Sequence, residues 1–261
     1  MSARRGLTVV ELLVVIAVIA VLMAIVVPAM SSMRATARAG GCQSNLRQIL
    51  LAAQAYAAQN DGRMPAAILY DMTAGGVRTR SWDFVREPDG SVRPSVLWDF
   101  ASGGANVHQC PEFEGSATFA GDPYTGYNYN TSYIGAEGRF PEQDASGRWV
   151  DGWKLARRGI PPAQFRRTTT TAVFGDGGWR GGANKFMRSP DCVEGDLPTT
   201  YAGGQSFRHG GCTHVGYLDG HVGGHCDCRD GALANAELLE GILGSPKNGF
   251  LSDDASAYDP R

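Results

Sequence analysis

The chain has 261 residues, a formal net charge of −2 and 43% apolar residues. This composition excludes an intrinsically disordered chain, and the charge gives no electrostatic reason to expect nucleic-acid binding. The 35 glycines and 13 prolines indicate a turn-rich globular part that is mostly β or irregular. The mean hydropathy of −0.20 averages a very apolar start with a hydrophilic remainder, which argues against a simple cytosolic enzyme.

An apolar segment covers residues 7–27 and is interrupted only by Thr8 and Glu11. As a helix it would be roughly 32 Å long, enough to cross a hydrocarbon core of about 30 Å. A secretory signal peptide has a shorter apolar region, and no good small-residue cleavage site follows this one. The segment therefore predicts a transmembrane helix. Arg4 and Arg5 precede it, so the positive-inside rule places the short N-terminus in the cytoplasm and exports the rest.

Glu11 is unusual because a carboxylate inside a membrane helix costs about 2.5–3.5 kcal/mol. A cut after Gly6 would create an amino group near this carboxylate, whose charge it could offset within a subunit or between neighbours. The alternative is a passive Glu11 that snorkels to the interface or is protonated.

The junction RRG, residues 4–6, followed by LTVVELL, residues 7–13, resembles the processing signal of type IV pilins and pseudopilins. The resemblance implies that a prepilin peptidase cuts after Gly6 and methylates the new N-terminus at Leu7. It implies that Glu11 serves filament assembly and that Pro28 disrupts the helix. One departure is Leu7, where phenylalanine is commonest in the family.

The same resemblance implies an α+β, pilin-like fold, in which a long N-terminal helix carries a globular domain built on an antiparallel β-sheet. We expect five segments: a leader at 1–6, a transmembrane helix at 7–27, a helical stem at 28–62, a globular domain at 63–243 and a C-terminal tail at 244–261. The stem should pack on the domain, because apolar residues recur there at spacings of three and four. This stripe contains Cys42, Leu46, Ile49, Leu50, Ala53, Tyr56 and Ala57.

Two local patterns predict structure in the globular part. Residues 168–174 are rich in β-formers and predict a strand that ends in a turn at 175–178. Asp219-Gly220 lies between alternating segments, which predicts a two-residue hairpin loop with Leu218 opposite His221 and His214 opposite His225.

A second resemblance rests on motifs that are far apart in the chain. CQSNLRQ, residues 42–48, resembles a stem motif of a large prepilin-like family that is abundant in planctomycetes, and Cys110-Pro111 matches its mid-chain Cys-Pro. His209, followed after nine residues by Asp219-Gly220, matches the closing signature of that family. The family motif residues in this chain are thus Cys42, Asn45, Cys110, His209, Asp219 and Gly220. That family in turn resembles the major pseudopilin of type II secretion.

The six cysteines permit many pairings, and an exported protein meets an oxidising compartment. We predict a disulfide between Cys42, which faces the domain from the stem, and Cys110, which lies at an expected strand end. Closing this loop would stabilise the fold by roughly 4 kcal/mol through chain entropy.

Metal binding is a weaker hypothesis. In the predicted hairpin register four side chains with zinc-ligand chemistry share one face: Cys212, His214, His225 and Asp227. No C-x-x-C pair is present, and Gly223-Gly224 can break the register. Asp176 and Asp219 with nearby glycines could bind calcium, although no EF-hand-type loop is present. His209 could act as a base, but no motif places a nucleophile beside it.

The sequence thus predicts a structural subunit without a cofactor and without enzyme activity. It would form a homo-oligomeric filament of a type IV pilus or a type II secretion pseudopilus. Its expected partners are the prepilin peptidase, the inner-membrane assembly machinery and the lipid bilayer, with no nucleic acid. The protein would cross the inner membrane once with a periplasmic domain, and would be extracellular in an external filament. Two alternatives stay open: a membrane-anchored exported metal-dependent enzyme, and a surface subunit that binds a ligand.

Overall fold

The computed structural model describes residues 8–117, 121–152, 157–191, 203–245 and 247–261. A 50-residue helix, α1 (Val9–Ala58), comes first, and short strands follow it. The strands are β1 (Ile68–Thr73), β2 (Gly76–Ser81), β3 (Phe84–Arg86), β4 (Val92–Pro94), β5 (Tyr127–Asn130), β6 (Glu142–Gln143), β7 (Trp149–Val150), β8 (Ala172–Gly178), β9 (Phe186–Met187), β10 (Gly204–Ser206), β11 (Thr213–Tyr217), β12 (Val222–His225) and β13 (Asn248–Gly249). A second helix, α2 (Ala236–Leu243), precedes β13, and 3-10 turns occupy Val96–Phe100, Gly104–His108, Pro162–Gln164 and Ala255–Ala257. The predicted α+β arrangement is confirmed.

The stem half of α1 packs on the domain along the stripe that its sequence predicts. The buried residues of the helix are Cys42, Leu46, Ile49, Leu50, Ala52, Ala53 and Ala57. Tyr56 is half-buried and sets its ring edge-on to Phe100, with 5.9 Å between the ring centres. The helix ends at Ala58, and Asp61 and Gly62 then take positive φ angles of 54° and 73°, which turn the chain away.

Pro28 does not break the helix. Residues on both sides of it are helical, so α1 is one continuous element rather than two. A proline removes one backbone hydrogen bond and crowds the preceding turn, which more often bends a long helix than ends it. The Ser31 hydroxyl donates to the Pro28 carbonyl at 2.8 Å, in the first turn after the proline.

The strands form three sheets in the described part of the chain. β1 to β4 make an antiparallel meander in sequence order, and β6 pairs with β7. The largest sheet has the order β12-β11-β8-β10-β13. Off this order, β5 also pairs antiparallel with β8 and pairs parallel with β9. Strand β8 is therefore central, and all seven of its residues are buried.

Two sequence predictions about this sheet are wrong. The glycine-rich residues 175–178 continue β8 instead of forming a turn. The glycines among them lie where other segments of the same chain pack against the backbone and leave no space for side chains. A Cβ at Gly177 would lie 2.6 Å from the Asn184 carbonyl oxygen. The hairpin register also differs by one residue, since Thr213 and not His214 lies opposite His225. Gly220, at φ 101°, provides the extra loop residue, and the Tyr217 amide donates to His221 O at 2.9 Å.

The main core lies between the stem and the largest sheet. It contains Leu46 and Ile49 from the helix, Trp82 and Trp98 from the meander region, and Phe174 from β8. A second cluster covers another part of the sheet, and residues 244–261 contribute to it. Leu251 and Tyr258 of this last segment are buried there against Ala172, Met187 and Val215. The segment is therefore packed into the globular domain.

Candidate functional site

The first half of α1 projects from the domain as an apolar rod. Every described residue from Thr8 to Arg38 is exposed, and the most apolar 18-residue window has a mean hydropathy of 3.2 with none of it buried. A core helix of a soluble protein with the same composition would be buried. Among the described residues, α1 is the one helix long and apolar enough to cross a membrane. Leu7 and Gly6, the predicted processing residues, lie outside the described residues.

Glu11 closes the N-terminus of α1 together with Thr8. Its Oε2 accepts hydrogen bonds from the Thr8 amide and the Thr8 hydroxyl, both at 2.8 Å, and the Thr8 Oγ1 accepts from the Glu11 amide at 3.3 Å. This reciprocal arrangement is a capping box, which satisfies two amide groups that the helix leaves without partners. Glu11 therefore has a local role that does not depend on other subunits.

The stem is joined to the domain in the first buried turn of α1 by Cys42, Asn45 and Cys110. Cys42 and Asn45 lie on one face of the helix, and the Asn45 side-chain amide donates to the Gln109 carbonyl at 3.0 Å. The sulfur atoms of Cys42 and Cys110 lie 2.6 Å apart, and both residues are fully buried. The Tyr127 hydroxyl adds a bond to the Cys42 carbonyl at 3.1 Å.

His209 lies next to this sulfur pair and is held by Asp176. Its Nε2 is 3.1 Å from Asp176 Oδ2 and 4.0 Å from the Cys110 sulfur. His214 stacks on its ring at a centroid distance of 4.2 Å, and the His214 amide donates to Asp176 Oδ2 at 2.7 Å. The fully buried Asp176 carboxylate therefore contacts both histidines, and through the His214 amide it also binds the backbone of β11.

The electrostatics of this cluster favour an ion pair between His209 and Asp176. Burial alone would lower the pKa of His209, but its hydrogen bonds to Asp176 and Cys110 raise that pKa to about 9. Burial opposes ionisation of Asp176, yet the hydrogen bond from His209 and the nearby Arg208 lower its pKa. The contact with the Cys42 sulfur and the hydrogen bond to His209 lower the pKa of the Cys110 thiol to about 5. The contact with Cys110 and burial raise the pKa of the Cys42 thiol.

The four residues of the hypothetical zinc set do not come together. Cys212 forms a disulfide with Cys226, so its sulfur is not a thiolate ligand. His225 Nε2 lies 3.0 Å from the Asp227 carbonyl oxygen on the exposed side of the hairpin, and the Asp227 carboxylate pairs with Arg229. His214 is instead buried beside Asp176.

Among the residues that the structure describes, metal-ligand chemistry converges elsewhere, at two overlapping groups: Cys42, Cys110 and His209, and Asp176, His209 and His214. Two thiolates on a tetrahedral zinc ion would lie about 3.8 Å apart, because each zinc–sulfur bond is about 2.3 Å long. The observed separation of 2.6 Å is too short for that geometry, so the sulfur pair fits a disulfide better than a zinc site. The structure holds both residues as thiols, and the predicted bond between them stays a prediction.

Asp219 and Gly220 shape the hairpin loop. The Asp219 carboxylate accepts from the His221 amide at 3.1 Å and lies 2.6 Å from His221 Nδ1. The side chain is exposed, and these bonds account for it as a turn residue. His209 and the Asp219-Gly220 turn therefore have different structural roles. His209 is buried next to the sulfur atom of Cys110, and the turn leads into β12, which contacts the stem.

Sequence reasoning missed two features of these sites. Asp176 was considered only for calcium, whereas it is the buried partner of His209. The Thr8-to-Glu11 spacing is itself a capping-box signal that could have been found. A further buried charged group, Lys185 with Asp83 and Asp122, has no local sequence signal at all.

Comparison with known proteins identifies one segment of the chain. Residues 1–27 match the family model described as the prokaryotic N-terminal methylation motif. The matched segment contains the RRG junction, Glu11 and most of the exposed apolar helix. No curated protein and no solved structure matches the chain. The chain therefore carries a prepilin-type N-terminus, and its globular domain has no counterpart in those comparisons.

Proposed function

We propose that the protein is a structural subunit of a type IV pilus-like or type II secretion pseudopilus filament. In this proposal a prepilin peptidase cuts after Gly6 and methylates Leu7, and α1 is first the membrane anchor and then the packing element of the filament. The match of residues 1–27 to the methylation motif is the observation that carries the proposal.

The exposed half of α1 supports the proposal by its length and surface. The 30 residues from Val9 to Arg38 extend about 45 Å along the helix axis and stand clear of the domain. Apart from Glu11, their side chains are apolar around the whole helix up to Val27 and require either lipid or other apolar helices as surroundings. A membrane satisfies this need before assembly, and neighbouring copies of α1 satisfy it in a filament.

The proposed orientation rests on Arg4 and Arg5: by the positive-inside rule they would keep the N-terminus in the cytoplasm, and the domain would then lie in the periplasm. The disulfide between Cys212 and Cys226 is consistent with an oxidising compartment. The partners are then the prepilin peptidase, the inner-membrane assembly machinery, the lipid bilayer and further copies of the chain. In an external filament the domain would be extracellular.

A structural role accounts for the cysteine and histidine cluster better than an enzymatic one. Cys42 and Cys110 are fully buried, and the His209 side chain is 3% exposed, so no substrate reaches these groups in the folded state. The proposed activity requires no cofactor. The alternative of a ligand-binding surface subunit has one supporting observation, a cleft of about 470 Å³ beside the end of the stem, lined by Tyr56, Arg63 and Arg158 among others.

The cleavage step is tested by mass spectrometry of the full chain purified from membranes of a host that contains a prepilin peptidase. We expect the mature protein to begin at N-methylated Leu7. Gly6→Val should leave the precursor uncut, because the resemblance places the cut directly after this glycine. Gly40→Val is the matched control, since a Cβ at Gly40 has no atom within 4 Å, and it should be processed normally. A mature protein that still begins at Met1, or that starts near Ala29, contradicts the proposal.

A further inference from the structure

A lysine is buried between two carboxylates at the centre of the meander side of the domain. Lys185 Nζ lies 2.7 Å from Asp83 Oδ1 and also contacts Asp122 Oδ2 directly. The three side chains are 4%, 0% and 3% exposed. Charged groups are rarely buried to this degree, and here one amine and two acids are in contact without bulk water.

Aromatic rings form much of the wall around the three groups. Lys185 Nζ lies 5.9 Å from the centre of the Phe84 ring, which packs in turn near Tyr124 and Trp98. The Trp82 indole donates to the Lys185 carbonyl at 3.0 Å and so fixes the backbone of the lysine. An apolar, dry wall of this kind disfavours separated charges and favours neutral forms of the groups inside it.

Their surroundings shift the pKa values of the two carboxyl groups in opposite directions. Burial and the negative charge of Asp83 raise the pKa of Asp122 to about 7, although Lys185 acts against this rise. Burial also opposes ionisation of Asp83, but Lys185 and His108 lower its pKa to about 2. His108 Nε2 lies 3.3 Å from Asp83 Oδ2, and the Phe84 amide donates to Asp83 Oδ1 at 2.8 Å. Asp122 Oδ1 is buried and has no hydrogen-bond partner among the residues that the structure describes.

We propose that Lys185 and Asp122 become joined by an intramolecular amide bond between Nζ and Cγ, and that Asp83 transfers the protons of this reaction. The proposal is independent of the filament function, because the site lies wholly within the globular domain. Asp83 is the catalytic residue in this scheme because it contacts the reacting amine.

The reaction balances without an added reagent. The Lys185 ammonium gives one proton to Asp83 Oδ1, and the neutral amine attacks Cγ of the protonated Asp122 carboxyl group. The new N–C bond forms a tetrahedral centre. Asp83 then protonates the departing hydroxyl group and takes the remaining excess proton from nitrogen, so that one water molecule leaves and Asp83 ends protonated and uncharged. The products are one amide, one water and the neutral Asp83 carboxyl group, so the net charge and the oxidation states are unchanged.

Asp122 is the electrophile rather than Asp83 because of their surroundings. An ionised carboxylate resists attack by an amine, and Asp83 is held in that state by His108 and Lys185. A protonated Asp122 carries less negative charge at Cγ, and its contact with Nζ already brings the two reacting groups together. The bond would close the segment 122–185 into a covalent loop that includes β5 and the central strand β8.

The test is the intact mass of the full chain after reduction, so that disulfides do not affect the comparison. We expect a mass one water molecule below that of the processed sequence, and a proteolytic fragment in which the peptides of Lys185 and Asp122 are joined. Lys185→Arg keeps the positive charge and should restore the full mass. Asp83→Asn leaves both partners in place and should abolish the mass loss or slow it from complete to partial.

Asp122→Asn is the matched positive control. An asparagine at this position would lose ammonia instead of water, so the joined product should have the same mass as the joined wild-type chain. Circular dichroism of each variant establishes that it is folded. A reduced wild-type chain with its full mass, or separate linear peptides for Lys185 and Asp122, would show that the cluster is an ion pair only. A bond from Lys185 to Asp83 would likewise overturn the assignment.

Discussion

Replacing Glu11 separates the two roles that the structure and the filament hypothesis give to this carboxylate. Glu11→Val removes both hydrogen bonds that the carboxylate accepts from Thr8, whereas Glu11→Gln keeps an acceptor oxygen but carries no charge. Loss of a cap costs about 1 kcal/mol and affects the first turn of a 50-residue helix. The folding of the distant domain should therefore be unchanged in both variants.

Assembly should respond much more strongly than folding. In a filament the new α-amine of one subunit would lie in an apolar bundle of helices, and the Glu11 carboxylate of another copy would be its partner. Leaving one member of a buried ion pair without its partner costs about 3–5 kcal/mol. Since 1.4 kcal/mol is tenfold in an equilibrium constant, each subunit addition would be weakened by roughly 10²- to 10⁴-fold. Polymerisation repeats this loss at every step.

The assay compares sheared surface fibres with membrane-fraction blots for the wild type and both variants. We expect normal membrane insertion and cleavage in every case, because removing a charge favours insertion and Gly6 is unchanged. Fibres should be absent for both Glu11→Val and Glu11→Gln. Normal fibres from the valine variant would refute an assembly role. Fibres from the glutamine variant alone would show that the cap, and not the charge, is what assembly needs.

Two further predictions concern the contact between the stem and the domain at Cys42, Cys110 and His209. Non-reducing peptide mapping of the exported protein should find Cys42 joined to Cys110, and the bond should raise the free energy of unfolding by about 4 kcal/mol; free thiols at both positions would contradict this. In the protein with Cys42 and Cys110 reduced to thiols, the pair of His209 with Asp176 should stabilise the fold fully below pH 6.5, the ordinary pKa of histidine. That contribution should be lost as the pH rises through about 9, because the raised pKa of His209 marks where the folded protein releases the proton. Thermal unfolding between pH 6 and 10 should show this fall in the wild type and a flatter profile in His209→Gln.

The sequence predicted the stem correctly because the signal for it is local. Residues three and four apart on a helix face one direction, so the stripe from Cys42 to Ala57 identifies the buried face without knowledge of what covers it. The sequence also predicted the exposed apolar half of α1, because length and hydropathy alone distinguish a candidate membrane-spanning segment. Pro28 was judged by its local effect, but one lost hydrogen bond does not end a helix that continues on both sides.

The errors in the β-domain have a different cause. Gly177 and Gly178 resemble turn residues in sequence, but they serve a central strand in which Asn184 and Asn248 approach too closely for side chains. The hairpin register shifted because a third residue joined the loop at Gly220. Both features depend on contacts with distant segments, and a local pattern does not contain that information.

The buried charged groups show the same limit most clearly. Asp176 meets His209 across 33 residues of sequence, and Lys185 meets Asp83 across 102. Each partner alone resembles an ordinary surface residue, and only the assembled sheet reveals that its charge is buried. Such groups cost free energy unless they are paired, so their presence in the core favours a specific role over simple stabilisation.

The position of the cysteine pair along α1 has a mechanical consequence. Cys42 is the first buried residue after the exposed half of the helix, and Asn45 makes its bond to Gln109 one turn further on. A force applied along the exposed half reaches the domain first at this turn, so separation of the stem would begin here. A covalent bond at Cys42 would stop that separation at its first step, whereas the same bond near Ala57 would act only after most of the stem contacts had broken. The predicted disulfide therefore lies where a subunit held by its N-terminal helix would need it.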